Sequence, residues 1–170
     1  LFSNDIFGKP GGELRNRHFS YVDLRVPMIH PTLYKILVRL DSLNEGIMSG
    51  KMYATWDPKT KRFTKANPWE GETGFEFFVK HLPELTFEDR KAMSRRIGVK
   101  VIELHQKQPM ISRLLVLPAG LRDYTVDDTG KPSEDEVNNF YRKIMRLCFS
   151  LDNYALQSNL QYLDSTRYNI

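Results

Sequence analysis

Cysteine is nearly absent: Cys148 stands alone among 170 residues. One thiol can close no disulfide within the chain and builds no cysteine-based zinc site, so a reducing, intracellular setting is expected. Long apolar runs are missing too. No stretch approaches the ~20 consecutive apolar residues of a membrane-spanning helix, and the first residues lack a signal-peptide pattern, so no membrane partner is expected. No charge of one sign dominates. With 25 Lys plus Arg against 21 Asp plus Glu, the net charge of +4 and the pI near 9.1 permit a polyanionic partner without requiring one. The sequence opens on Leu1 without Met, as a piece of a longer protein would.

Enzyme motifs are missing as well. There is no Gly-x-Ser-x-Gly, no phosphate-binding Gly-Lys-Ser/Thr loop and no Cys/His pair that the sequence brings together. His18, His30, His81 and His105 show no ligand spacing with one another or with Cys148, so surface or packing roles are expected. Asp127 and Asp128 are adjacent in a turn, where their side chains diverge; a solvated turn is the preferred reading over a metal site. With no nucleophile, base and orienter to assemble, a stand-alone enzyme is the weakest of the functional classes.

What the chain does have is a 41% hydrophobic content, ample for the core of one domain. Its most informative stretch runs from Leu114 to Leu151. The apolar residues Leu114, Leu115, Val116 and Leu117 stop at Pro118 and predict a buried strand. Leu121 to Pro132 is polar, with Asp127, Asp128, Thr129 and Gly130 supplying turn chemistry, and predicts an exposed loop. Ser133 and Glu136 then have capping-box spacing and predict a helix start. On that helix Val137, Phe140, Tyr141, Ile144, Leu147, Cys148 and Leu151 recur at helical steps as a packing face. Arg142, Lys143 and Arg146 fall on the polar, basic side with Asn138 and Asn139.

Upstream, residues 1–17 are rich in Gly and charge and read as an extended arm. His18 to Leu24 alternate as a strand ahead of Pro27, and Pro31 opens a short amphipathic helix through Leu33, Ile36, Leu37 and Leu40, ended by Asn44, Glu45 and Gly46. Met48–Trp56 and Arg62–Lys65 flank a turn-rich connection and predict a β-hairpin. Lys51, Lys59, Lys61, Arg62 and Lys65, interleaved with Tyr53, Trp56 and Phe63, have the composition of a nucleic-acid surface, but a solvated hairpin with aromatic cross-strand packing is preferred. Thr73 with Glu76, and Thr86 with Asp89, mark two further helix starts. Phe75, Phe78, Val79 and Leu82 should face the core from the first, and Met93 and Ile97 from the second, which should stop at Gly98 before a strand from Val99 to Leu104.

Three stretches resemble one family in the same order along the chain. Val116, Leu117, Pro118, Leu121 and Arg122, followed by an Asp-Gly-containing loop and then Glu136 to Ile144, are similar to the beta-prime subunit of multisubunit, DNA-directed RNA polymerases. There a Val-Ile-Pro-Pro-x-Leu-Arg-Pro segment leads into the lid loop, and an Asp-Leu-Asn-x-Leu-Tyr-Arg-Arg-Val-Ile segment opens the clamp helices. Arg17, Phe19, Val22, Leu24, Pro27 and Met28 fit the family's Arg-Phe-Gly-His-Ile-x-Leu-x-x-Pro-Val signature, with Tyr21 at the histidine position. Thr73 to Glu88 resembles a third segment, a Gly-Ala-Glu-Ala-Ile helix followed by Asp-Leu-Glu. Asp123 replaces the last proline of the lid motif, and Ala119 and Gly120 replace the residues after Pro118.

The predicted elements make an α+β fold of short helices and small antiparallel strands, with a helix projecting at the C-terminal end, in a single domain, residues 1–170; the resemblance implies a lid-like loop at 121–132 and a clamp-helix region at 133–170. Its size and divergence suggest a jumbo-bacteriophage version, acting in the host cytoplasm or carried in a virion. Implied partners are the remaining polymerase subunits, template DNA with the RNA–DNA hybrid, and a sigma-like initiation factor. Implied nucleic-acid contacts are Arg113, Arg122 and Lys131; implied factor contacts are Arg142, Lys143 and Arg146. The family's catalytic Mg2+ is held by an Asn-Ala-Asp-Phe-Asp-Gly-Asp loop that this chain lacks, so no catalytic residue and no cofactor is expected within it. The rival reading is a nucleic-acid-binding or virion structural protein unrelated to polymerase.

Overall fold

A computed structural model describes residues 13, 17–88, 92–122, 124–156 and 160–170. The fold is α+β, with short helices and two-stranded sheets. Where one domain was expected, the chain divides into two compact units: residues 1–27 with 112–153, and residues 28–111 with 154–170. The tail of the expected clamp-helix region therefore clusters with the second unit. Most of the expected arm lies outside the described residues; of its members, Glu13 and Arg17 are helical and paired at 3.6 Å.

Strand β1, Ser20–Ile29, continues through Pro27 instead of ending before it. Val22, Leu24 and Met28 alternate inward, and Pro27 is exposed, where a missing ladder N–H is tolerated. Its sheet neighbour is β4, Met110–Val116. In the first unit the buried apolar residues are Val22, Leu24, Val116 and, from helix α5 (Glu136–Leu156), Cys148 and Leu151.

The second unit is built on helix α1, Pro31–Leu40, whose N-cap His30 accepts from the Thr32 N–H through Nδ1 at 3.2 Å. The chain does not leave helix at Asn44–Gly46. Asp41 is extended and accepts from the Leu43 N–H at 2.9 Å, which starts helix α2 at Ser42–Met48. Asn44, 2% exposed, donates through Nδ2 to the Leu37 carbonyl at 2.9 Å, so this buried amide closes the end of α1 rather than breaking it.

Strands β2 (Tyr53–Asp57) and β3 (Arg62–Ala66) form the expected hairpin, with Trp56 opposite Phe63. Those rings pack inward. Phe63 stacks on Phe78 of helix α3 (Phe75–His81) at 5.5 Å, and Trp56 stacks on His81 at 4.5 Å. The aromatics are therefore core and not an open stacking platform for bases. Burial, and next the charge of Lys80, holds the His81 pKa below its usual 6.5, so the cluster is most stable with His81 neutral.

Three helix boundaries differ from those expected. Thr73 does not cap α3: its hydroxyl donates to the Met52 carbonyl at 2.6 Å, the cap position is Gly74 at φ +107°, and the Glu76 N–H is taken by Asp164 at 3.1 Å. Thr86 likewise donates to the Thr60 carbonyl at 2.9 Å, and Asp89 lies outside the described residues. Helix α4, Met93–His105, runs through Gly98 and through the whole expected strand. A Cβ on Gly98 would come within 3.2 Å of Ile36 Cγ2, so the glycine permits close approach to α1 and is no stop signal. Gly98 and Ile102 set the buried face, which leaves Met93 and Ile97, expected inside, 72% and 54% exposed.

Helix α6, Leu160–Asn169, packs on α3 within this unit. Arg167, its side chain only 10% exposed, pairs with Glu76 at 2.6 Å and lies 4.5 Å over the Phe75 ring. Among the described residues no helix is long and apolar enough to cross a membrane.

Candidate nucleic-acid interface

In the first unit, β4 ends at Val116 and Pro118 leads into a 3-10 turn at Ala119–Leu121. The expected loop is then a small hairpin, β5 (Tyr124–Val126) with β6 (Pro132–Glu134), in antiparallel register with Thr125 opposite Ser133. Ser133 is thus in a strand and does not cap the helix. That role falls to Asp135, whose carboxylate accepts from the Val137 N–H at 2.9 Å.

The base of the hairpin is tied to the start of α5 by side chains. Arg122 donates to Asn138 Oδ1 at 2.7 Å and sits 5.9 Å from the Tyr141 ring centroid. The Tyr141 hydroxyl accepts from the Leu117 N–H at 3.2 Å. Glu134 is gripped by both terminal nitrogens of Arg142, which also donates to Asn139 Oδ1 at 2.6 Å. Strand end, hairpin and helix therefore share one network.

At the other end, the Asp127 carboxylate gathers the turn: Oδ1 accepts from the Thr129 hydroxyl at 2.6 Å and from the Thr129 and Lys131 N–H groups at 2.9 and 2.8 Å. Gly130 supplies the φ of +80° that the tight return needs. The residues from Thr125 to Glu134 are all exposed. Asp127, Asp128 and Glu134 against Lys131 make this segment acidic.

The charge constellation is pH-sensitive in a definite direction. The Arg142 hydrogen bonds hold Glu134 below its usual 4.5, and the Thr129 hydroxyl, then the Lys131 amide, hold Asp127 below its usual 3.8. Groups lowered on folding add stability above their unfolded values and lose it as pH falls through the lowered ones. The amide signals of residues 124–134 should accordingly stay constant from neutral pH down to about 4.5 and shift below it. A hairpin unchanged at pH 2 would refute this account.

The six basic residues singled out in the sequence fall into two kinds. Arg122 and Arg142 each bond to another residue at the hairpin base, Arg122 with a buried Nε that has no hydrogen-bond partner among the described residues. Arg113 is exposed and lies 4.6 Å over the Tyr21 ring. Lys131, Lys143 and Arg146 are exposed and form no ion pair among the described residues. The expected basic triad on α5 thus reduces to a pair, Lys143 and Arg146. Phe140, expected on the packing face, is 62% exposed, since Tyr141 and Ile144 define that face.

Among the described residues no group of three or more His, Cys, Asp or Glu could hold a metal ion. The roles of Asn138, Tyr141 and Asp135 were missed in the sequence; only the polarity of the helix start hinted at them. No family model and no curated protein matches the chain.

Proposed function

We propose that this chain is the N-terminal clamp segment of a multisubunit, DNA-directed RNA polymerase, similar to that of beta-prime, with residues 124–134 as its lid. The observation that carries the reading is the pinned hairpin between β4 and α5, joined to its helix by Arg122–Asn138 and Glu134–Arg142 with every tip residue exposed. A wedge that separates RNA from template needs a fixed base and a free tip. It also needs weak affinity for what it touches, and Asp127, Asp128 and Glu134 around Lys131 leave that lysine only a weak hold on phosphate.

In this role the segment is a non-catalytic part of a nucleotidyltransferase. Closure over DNA and the RNA–DNA hybrid draws on Arg113 and Lys131 as phosphate contacts, while Arg122 acts by positioning the lid. Lys143 and Arg146 offer a sigma-like factor a basic helix face of two residues. Beta-like and further beta-prime-like subunits complete the assembly, and the magnesium-binding aspartates belong to one of them. A jumbo-bacteriophage source would place the assembly in the host cytoplasm or the virion.

Purification of the native assembly through a tag on this chain, followed by mass spectrometry, tests the proposal. Polymerase-like subunits should co-purify, one of them carrying an aspartate-rich catalytic loop. Recovery of this chain alone overturns the reading.

A further inference from the structure

The unit formed by residues 28–111 and 154–170 holds a cavity of about 530 Å³ bordered by three arginines from three elements: Arg39 on α1, Arg62 on β3 and Arg95 on α4. Two carboxylates also border it, and both are engaged. Asp41 accepts from the Leu43 N–H at 2.9 Å, and Glu88 accepts from Arg62 Nη1 at 2.7 Å.

Arg95 is different. Its Nη1 donates to the Leu40 carbonyl at 2.7 Å and its Nε to the Glu88 carbonyl at 3.3 Å, so two neutral oxygens hold the guanidinium in place. Among the described residues no carboxylate pairs with it or with Arg39. Arg62 adds a buried Nε with no hydrogen-bond partner among the described residues. A guanidinium has five N–H donors in a rigid fork that matches phosphate oxygens two at a time, and Arg95 has used only part of its set. A guanidinium held by neutral oxygens and facing a polar cavity, with two further arginines at its border, is preorganised to receive an anion.

We propose that this cavity binds the phosphate groups of a small phosphorylated ligand of the nucleoside polyphosphate class. Its volume suits a small-molecule site and exceeds what a single phosphate fills. Leu85 and Phe87 also border the cavity and give the remaining space an apolar surface for the ligand's non-phosphate part. The inference stands on this unit alone and does not depend on the polymerase reading.

Titration calorimetry on the 170-residue chain at roughly physiological salt tests it with four probes: pyrophosphate, ATP, adenosine and a single-stranded oligonucleotide. Pyrophosphate and ATP should bind saturably, ATP the tighter, and adenosine should not. Arg95→Gln should weaken ATP about tenfold or more, as loss of a charge-assisted contact does. That variant also orphans the Leu40 carbonyl. Arg39→Gln disturbs no hydrogen bond of the fold and should still weaken ATP several-fold, about half the effect in logarithmic terms. No saturable binding of either phosphate probe, unchanged affinity in Arg39→Gln, or binding of the oligonucleotide but not pyrophosphate would each overturn the proposal.

Discussion

Phe78→Ala should cost the second unit about 3–5 kcal/mol, the largest loss expected from one side chain here. Phe78 is fully buried and stacks on Phe63 at 5.5 Å, which joins α3 to the β2–β3 hairpin. Truncation removes the transfer free energy of the ring and leaves a cavity that its neighbours cannot fill. Phe75, Leu82 and Ile47 are themselves buried in the same cluster, and the backbone around them is fixed by helix hydrogen bonds. Thr64→Ala on the exposed side of β3 is the matched control and should change stability by less than about 0.5 kcal/mol. Urea unfolding followed through Trp56 fluorescence measures both. A Phe78→Ala loss below about 1 kcal/mol would mean that the centre of this core lies elsewhere.

What could be read from the sequence is what local chemistry decides. Pro31 opens α1 because its fixed φ suits a first helical residue, and β2 and β3 pair because alternation and a turn-rich connection agree. The α+β class followed from such elements. The failures share one cause, a distant partner. Thr73 looked like a cap, yet the start of α3 is satisfied by Asp164, 88 residues further on. Gly98 looked like a stop because nothing local distinguishes a breaking glycine from one that makes room for Ile36. Ser133 and Glu136 have capping-box spacing, but pairing with Thr125 puts Ser133 in a strand and the cap moves to Asp135.

The site shows the same division. Its position between strand and helix was legible, and so was its turn, since Asp127 and Gly130 are local signals. Its architecture was not. Arg122 read as a phosphate contact because an exposed arginine in a polar loop usually keeps its fork free, whereas Asn138, 16 residues away, takes it. Arg142 read as part of a docking face, although Glu134, 8 residues back and outside the helix, claims it. In both cases the structure gives the basic residue a partner within the chain, at the base of the hairpin.

If residues 124–134 are the proposed lid, replacing Thr125–Ser133 with a short Gly-Ser link should leave the polymerase able to extend RNA but unable to release it at normal hybrid length. The segment removed contains the whole exposed tip and the Asp127 turn. The retained residues include Arg122, Glu134, Asn138 and Arg142, so the network at the base survives, and Asp135 still caps α5. The helix should therefore keep its start, seen as unchanged Val137 and Asn138 amide signals. On the proposed reading, loss of the tip removes the block to re-pairing of the transcript with its template. On single-stranded DNA the variant polymerase should then leave an overlong hybrid, sensitive to ribonuclease H along the whole transcript. Asp127→Ala should do the same in part, because losing the acceptor of three donors loosens the tip without removing it. If both variants release RNA at the wild-type hybrid length while their amide signals confirm an intact base, residues 124–134 are a surface connection and the lid assignment falls.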